Sequence, residues 1–199
     1  MTNRAFLTSA LALAFAVPAG AADAFLVDKA HSEVTFQVTH LGISKVRGKF
    51  REFDGQFQLD AAKPEASTVQ FTIKTASVDT GNENRDADLR SGEGFFEVEK
   101  HPTITFKSTR VQPKGKDAYD VTGEFTMHGV TRTLTLPVRV AGPITDHRGA
   151  TKYGFETETT LNRKDYGLTW HNVMDTGGLV VSDEVKVAIQ LEVSKPKAQ

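Results

Sequence analysis

The sequence predicts an all-β protein: an eight-stranded antiparallel barrel with one short helix on a long connection. Three observations predict it. Apolar and polar residues alternate with a period of two through most of the chain, as in "HSEVTFQVTH", where Val34, Phe36 and Val38 share one face. Turn clusters rich in Gly, Asp and Pro punctuate the alternation, and only one stretch departs from it toward helix. Glycines inside strands (Gly48, Gly55, Gly123), together with shifts in parity, favour strong coiling and closure over an open sandwich.

The chain begins with a pattern of its own. Arg4 precedes an apolar run over residues 5–17, and small residues follow at 19–22. The run is too short to span a bilayer and fits a secretory signal peptide cleaved near Ala22. Residues 23–199 then form one domain. That length of 177 residues suffices for a substantial core. Without Arg4, 23 basic side chains face 25 acidic ones, which argues against a nucleic-acid surface. The chain has no cysteine, which excludes thiol catalysis, disulfides and thiolate metal sites. No later segment is apolar enough to cross a membrane as a helix, so stable membrane insertion is not expected.

The strands follow in order. "FLVDKA" is a short first strand and 31–40 the next, with a turn at Gly42. In "VRGKFREFDGQFQLD", Val46, Gly48 and Phe50 share one parity while Phe53, Gly55, Phe57 and Leu59 share the other, which predicts a bulge between them. "STVQFTIKTASVDT" alternates through Val69, Phe71 and Ile73, then shifts parity to reach Val78. Residues 82–102 carry the helix, two turns long before Gly92 and Gly94 break it, with Asp86 and Arg90 spaced to pair. Alternation returns at Ile104 and Phe106. "HGV" turns a hairpin around Gly129. After the strand from Lys152, residues 164–183 are irregular, and "EVKVAIQLEVS" closes the series.

A barrel of eight strands is just wide enough to be filled by side chains or to hold one slender ligand. The inward residues are apolar: Phe36, Val38, Phe50, Phe53, Phe57, Phe71, Ile73, Ile104, Phe106 and Phe125. They suit a long hydrocarbon, since each buried methylene contributes about 0.8 kcal/mol gross. His40 shares the inward parity near a barrel end. Arg85, Phe95 and Phe96 belong to a lid or rim across the mouth, and Trp170, the only tryptophan, is placed to plug an end or line the entrance. Arg132 and Arg163 flank turns, where the default is a solvated side chain. No nucleophile elbow, zinc-binding helix motif or phosphate loop occurs, and the six histidines are scattered. Neither a catalytic residue nor a metal nor a cofactor is expected.

Four stretches carry a resemblance: "DKAHSEVTFQVTHLGISKVRGKFREFDGQFQLD", "SVDTGNENRDADLRSGEGFFEVEKHPTITFKST", "VTGEFTMHGVTRTLTLPV" and "LNRKDYGL". In this order they resemble the YceI-like family of exported lipid-binding proteins. The resemblance implies a lipocalin-like, extended eight-stranded barrel, a long cavity for polyisoprenoids or other long-chain amphiphiles (quinone-type lipids among them), and a periplasmic location. The family is not established as enzymatic. Two departures fall in the lid. Asp88 stands where the family usually has His, and "SGEGFF" places Gly94 before Phe95 with one extra residue. The role of that His does not transfer to Asp88.

The leading expectation is therefore a periplasmic carrier or sequestering protein for a long-chain isoprenoid. A lipid-modifying enzyme, which would need polar groups converging in the pocket, is an alternative. So is a surface-acting stress or adhesion protein with a filled barrel. A homodimer is compatible with the sequence, and a loading or unloading partner is not identifiable from it.

Overall fold

The computed structural model describes residues 22–174 and 179–195. All but the last residue of the expected leader, and part of the irregular stretch before the final strand, lie outside them. The strands are β1 (Asp23–Val27), β2 (Glu33–His40), β3 (Ser44–Phe50), β4 (Phe53–Leu59), β5 (Thr68–Lys74) and β6 (Val78–Asp79). After α1 (Glu83–Ser91) come β7 (Thr103–Gly115), β8 (Ala118–Met127), β9 (Val130–Thr145), β10 (Thr151–Asn162) and β11 (Glu184–Ser194).

These segments make eight staves, because three staves are bent. β1 and β2 run along the same edge of β11, separated by a 3-10 turn at Lys29–His31. β3 and β4 are halves of the next stave, broken at Arg51 and Glu52, and β5 and β6 are halves of the third, broken at Thr75–Ser77. Antiparallel pairing continues from β5 to β7 and on to β11, which closes the barrel on β1 and β2.

Each bend coincides with a change of parity in the sequence. The inward set moves from Phe25 to Val34, from Phe50 to Phe53, and from Ile73 to Val78, and all six side chains are buried. A bend in a ladder leaves backbone groups without strand partners, which must be met elsewhere. Here the bends meet each other. Arg51 N donates to Ser77 O at 3.1 Å, Lys74 N to Glu52 O at 2.9 Å, and Glu52 N to the Ser77 hydroxyl at 3.0 Å. At the seam, Asp28 N donates to Glu192 O at 2.8 Å and Glu192 N to the Ser32 hydroxyl at 3.0 Å.

Two of the strand glycines have a local reason. A Cβ on Gly48 would lie 2.3 Å from the Phe36 ring, and one on Gly123 would lie 2.6 Å from the Phe106 ring. The glycines clear the floor on which cross-strand aromatic rings lie. The β8–β9 hairpin turns on His128 and Gly129, with φ of 51° and 76°, the signs that a two-residue type I′ turn requires.

Candidate functional site

The helix α1 packs against β6 and, with residues of β2 and β3, lines one end of the barrel interior. Asn82 caps it, its side chain accepting from Arg85 N at 3.0 Å. The expected pairing of Asp86 with Arg90 does not form, because each finds a partner below the helix. Asp86 is buried and accepts from Thr80 N at 2.9 Å and the Thr80 hydroxyl at 2.5 Å. Arg90 donates to Ala76 O at 2.8 Å and Val78 O at 2.7 Å. Arg85 donates from Nε to the Thr80 hydroxyl and from Nη2 to Thr80 O, at 2.7 and 2.9 Å. The polar side chains that a surface helix would give to water instead fasten it to residues 76–80.

Beneath α1 lies a cavity of about 890 Å³. Of the residues expected to line the barrel, Phe36, Val38, Phe50, Phe71, Ile73, Phe106 and Phe125 face it. So do the expected rim residues His40, Arg85, Phe95, Phe96 and Trp170. Phe53 does not: it is buried against Phe71, ring centroids 5.8 Å apart, and fills the wall behind the cavity. Phe57 faces a second chamber of about 270 Å³ on the far side. Phe71, Phe106, Leu136 and Ile189 border both chambers and form a waist between them. The register places Phe71 opposite Phe106 and Phe106 opposite Phe125, so three strands bring their rings to one level.

Aromatic rings cover part of the mouth. Phe95 stacks on Trp170, centroids 5.0 Å apart and planes 22° from parallel. Trp170 N donates to Gly94 O at 3.0 Å. Gly94 has φ of 75°, and a Cβ there would lie 2.6 Å from Trp170 N. The glycine before Phe95 is therefore where the lid crosses the 169–170 segment at backbone contact, which no other residue allows.

That segment depends on Arg163, which is buried rather than solvated. Its guanidinium donates to Leu168 O at 2.7 Å, Trp170 O at 2.6 Å, Ser182 O at 3.2 Å and Asp183 Oδ1 at 2.9 Å. Burial pushes its pKa down, and the Asp183 carboxylate opposes that shift. Arg132 is half in water, its guanidinium 5.8 Å from the centre of the Tyr166 ring.

Sequence reasoning missed several lining residues. Leu134 and Leu136 from β9, Leu161 from β10, and Val185, Val187 and Ile189 from β11 complete the wall. For the β9 and β11 residues the signal was present as the alternation in "LTLPV" and "EVKVAIQL". The waist had no sequence signal, since it depends on which strands meet across the barrel. Among the described residues, one group of carboxylate and imidazole atoms could hold a metal: Asp28, His31 and Glu192. The Lys152 ammonium lies 3.3 Å from Asp28 and 2.5 Å from Glu192 and already meets that charge. None of these residues lines either chamber.

The class is thus a closed antiparallel barrel with an internal apolar cavity under a helical lid. The YceI-like domain family matches residues 25–193, and the chain belongs to that family. A UPF0312 protein of Azotobacter vinelandii is 44% identical over 183 residues, covering 91% of each chain. Among solved structures, Burkholderia cenocepacia BcnA is 30% identical with a TM-score of 0.73, covering 83% of this chain and 98% of that one. A polyisoprenoid binding domain from Saccharophagus degradans, implicated in plant cell wall breakdown, has a TM-score of 0.67 over 87% of this chain and 99% of that one. At 20% identity that neighbour shows the fold alone.

Proposed function

We propose that the protein binds a long-chain isoprenoid or other amphiphilic lipid inside the barrel, as a periplasmic carrier or sequestering protein. The observation that carries this reading is the cavity of about 890 Å³, walled mainly by phenylalanine, leucine, isoleucine and valine side chains, with a second chamber in line behind it. A cavity of that volume falls in the range of small-molecule sites and is too large to be a packing defect. Burying apolar chain there contributes about 25 cal/mol per Å². The family, and the ligand named for the Saccharophagus degradans neighbour, support the lipid class. The leader pattern at residues 1–22 supports export to the periplasm. The arrangement of polar groups supports binding rather than catalysis, since Arg85, Asp86 and Arg163 all serve to hold the lid and its neighbouring segment.

The test is native mass spectrometry of the mature protein purified without detergent from a bacterial periplasm, followed by solvent extraction. A stoichiometric added mass that extracts as a prenyl or long-chain lipid is the expected result. Phe106→Asp, which places a carboxylate at the waist, should abolish that added mass while the protein stays folded. An apo mass that takes up no added polyprenol or quinone would refute the reading.

A further inference from the structure

Resting on the lipid-binding reading, we infer that the cavity selects a lipid with an uncharged, hydrogen-bonding head group over its phosphorylated counterpart, and that Asp88 and Glu93 at the mouth enforce the choice.

A phosphate monoester carries about −1.5 to −2 charges at neutral pH, and recognising it takes arginine or lysine donors aimed at its oxygens. No lysine lines either chamber. Two arginines line the larger one, and both are engaged. Arg163 has four protein acceptors, including its ion-pair partner Asp183. Arg85 directs Nε and Nη2 at Thr80, beside the buried Asp86 carboxylate that Thr80 also contacts. Asp88 and Glu93 line the same mouth, and neither carboxylate has a hydrogen bond or ion pair among the described residues. The neighbouring Lys100 is held by Glu97. The far chamber is no better suited: its only charged lining residues are Asp60 and Asp117. Whichever way a lipid enters, an anionic head meets an excess of carboxylates: Arg85 is the one lining cation without an ion pair among the described residues, its Nε and Nη2 are turned to Thr80, and Asp86, Asp88 and Glu93 outnumber it.

An uncharged head fares differently. The His40 ring and the Thr169 hydroxyl line the mouth with no described hydrogen-bond partner, and both suit a hydroxyl or carbonyl oxygen. Asp88 and Glu93 are exposed, so water and salt screen them, and the discrimination should be moderate and salt-sensitive.

The experiment compares three lipids of equal chain length: a polyprenol, its monophosphate, and its dimethyl phosphate triester. Binding to the mature protein is followed by Trp170 emission and checked by native mass spectrometry. The monophosphate should bind about tenfold more weakly than the alcohol at low salt, a difference of about 1.4 kcal/mol. That ratio should shrink in 0.5 M salt, and the uncharged triester should bind like the alcohol. In the variant Asp88→Asn with Glu93→Gln the ratio should approach one. A monophosphate that binds as tightly as the alcohol overturns the inference and leaves lipid binding standing. A triester as weak as the monophosphate makes bulk the cause and also overturns it. So does an unchanged ratio in the double variant. If none of the three binds, the lipid-binding reading itself fails.

Discussion

Replacing Arg163 by Met removes one buried cation and, with it, the anchor of the segment that carries Trp170 over the mouth. Met matches the length of the arginine stem, so the change isolates the guanidinium. Four hydrogen bonds are lost, at 2.6, 2.7, 2.9 and 3.2 Å. Asp183 is not stranded, because Lys164 Nζ remains 2.8 Å from its other oxygen. The loss therefore falls on the carbonyls of Leu168, Trp170 and Ser182. Leaving three partly buried acceptors unmet costs about 1–1.5 kcal/mol each, and the relief of guanidinium desolvation offsets part of that. The net is about 3 kcal/mol. For a domain of this size each kcal/mol moves the melting temperature by about 2–4 °C, so Arg163→Met should melt about 6–12 °C lower. Trp170 reports the local event separately: its emission should shift red as the stack on Phe95 loosens. Arg163→Lys should recover little of the loss, since a single ammonium cannot reach four acceptors spread over two chain segments. A melting temperature within about 2 °C of the parent, with unchanged emission, would refute the reasoning and show that the segment holds itself.

Two further outcomes test other parts of the structure. At the waist, Leu136→Trp should weaken binding of polyprenols long enough to reach the far chamber more than that of short ones, and an equal loss for both would mean that the two chambers do not act in line. At the seam, the Asp28 carboxylate is held below its ordinary pKa, first by the hydrogen bond from His31 and then by that from Lys152, against the opposing effect of burial. A depressed carboxylate pKa contributes stability that is present above the unfolded value near 3.8 and is lost as pH falls through the folded value. Asp28→Asn should therefore lower stability by about 0.5–1 kcal/mol at pH 7 and by progressively less below pH ~4. Urea midpoints measured at both pH values check this, and a penalty that persists at pH 2 would assign the effect to shape instead.

The barrel was legible because its wall is written in period two. Phe36 and Val38, Phe71 and Ile73, and Phe106 each sit on the face that parity assigns them. The bend between Phe50 and Phe53 was legible for the same reason, since an even-to-odd switch cannot occur in an unbroken strand without turning one set outward. What the sequence hid depends on contacts between distant segments. Arg163 looks like any turn-flanking arginine until the chain returns Asp183 to its side, 20 positions later. Phe53 obeys the inward parity yet is cut off from the cavity by Phe71, which parity alone cannot show. The lid was legible as a charged, non-alternating stretch, but its charges were assigned to one another. The bent stave below offered Asp86 and Arg90 better partners: the Thr80 N–H and hydroxyl just past β6, and the carbonyls of Ala76 and Val78.

The cavity also constrains how the fold is held together. A dry void of 890 Å³ would forfeit about 20 kcal/mol at the rate measured for small core cavities. That exceeds the whole stability of an ordinary domain, about 5–15 kcal/mol. The space must therefore be occupied by solvent or lipid in the working protein. Part of the stability comes from side chains that do not face the cavity and so do not depend on its contents. Val78 and Val193 are almost fully buried, and Phe25, Phe53, Val78 and Val193 line neither chamber. The closed ladder and the stitched bends at Ser32 and Ser77 add hydrogen bonds that do not depend on what the cavity holds. A lipid that binds only the folded barrel then adds stability on top of this frame, in proportion to the logarithm of its concentration over its Kd. Delipidated protein should accordingly stay folded but melt at a lower temperature than the lipid-loaded form. A barrel that unfolded outright on delipidation would place the main source of stability inside the cavity after all.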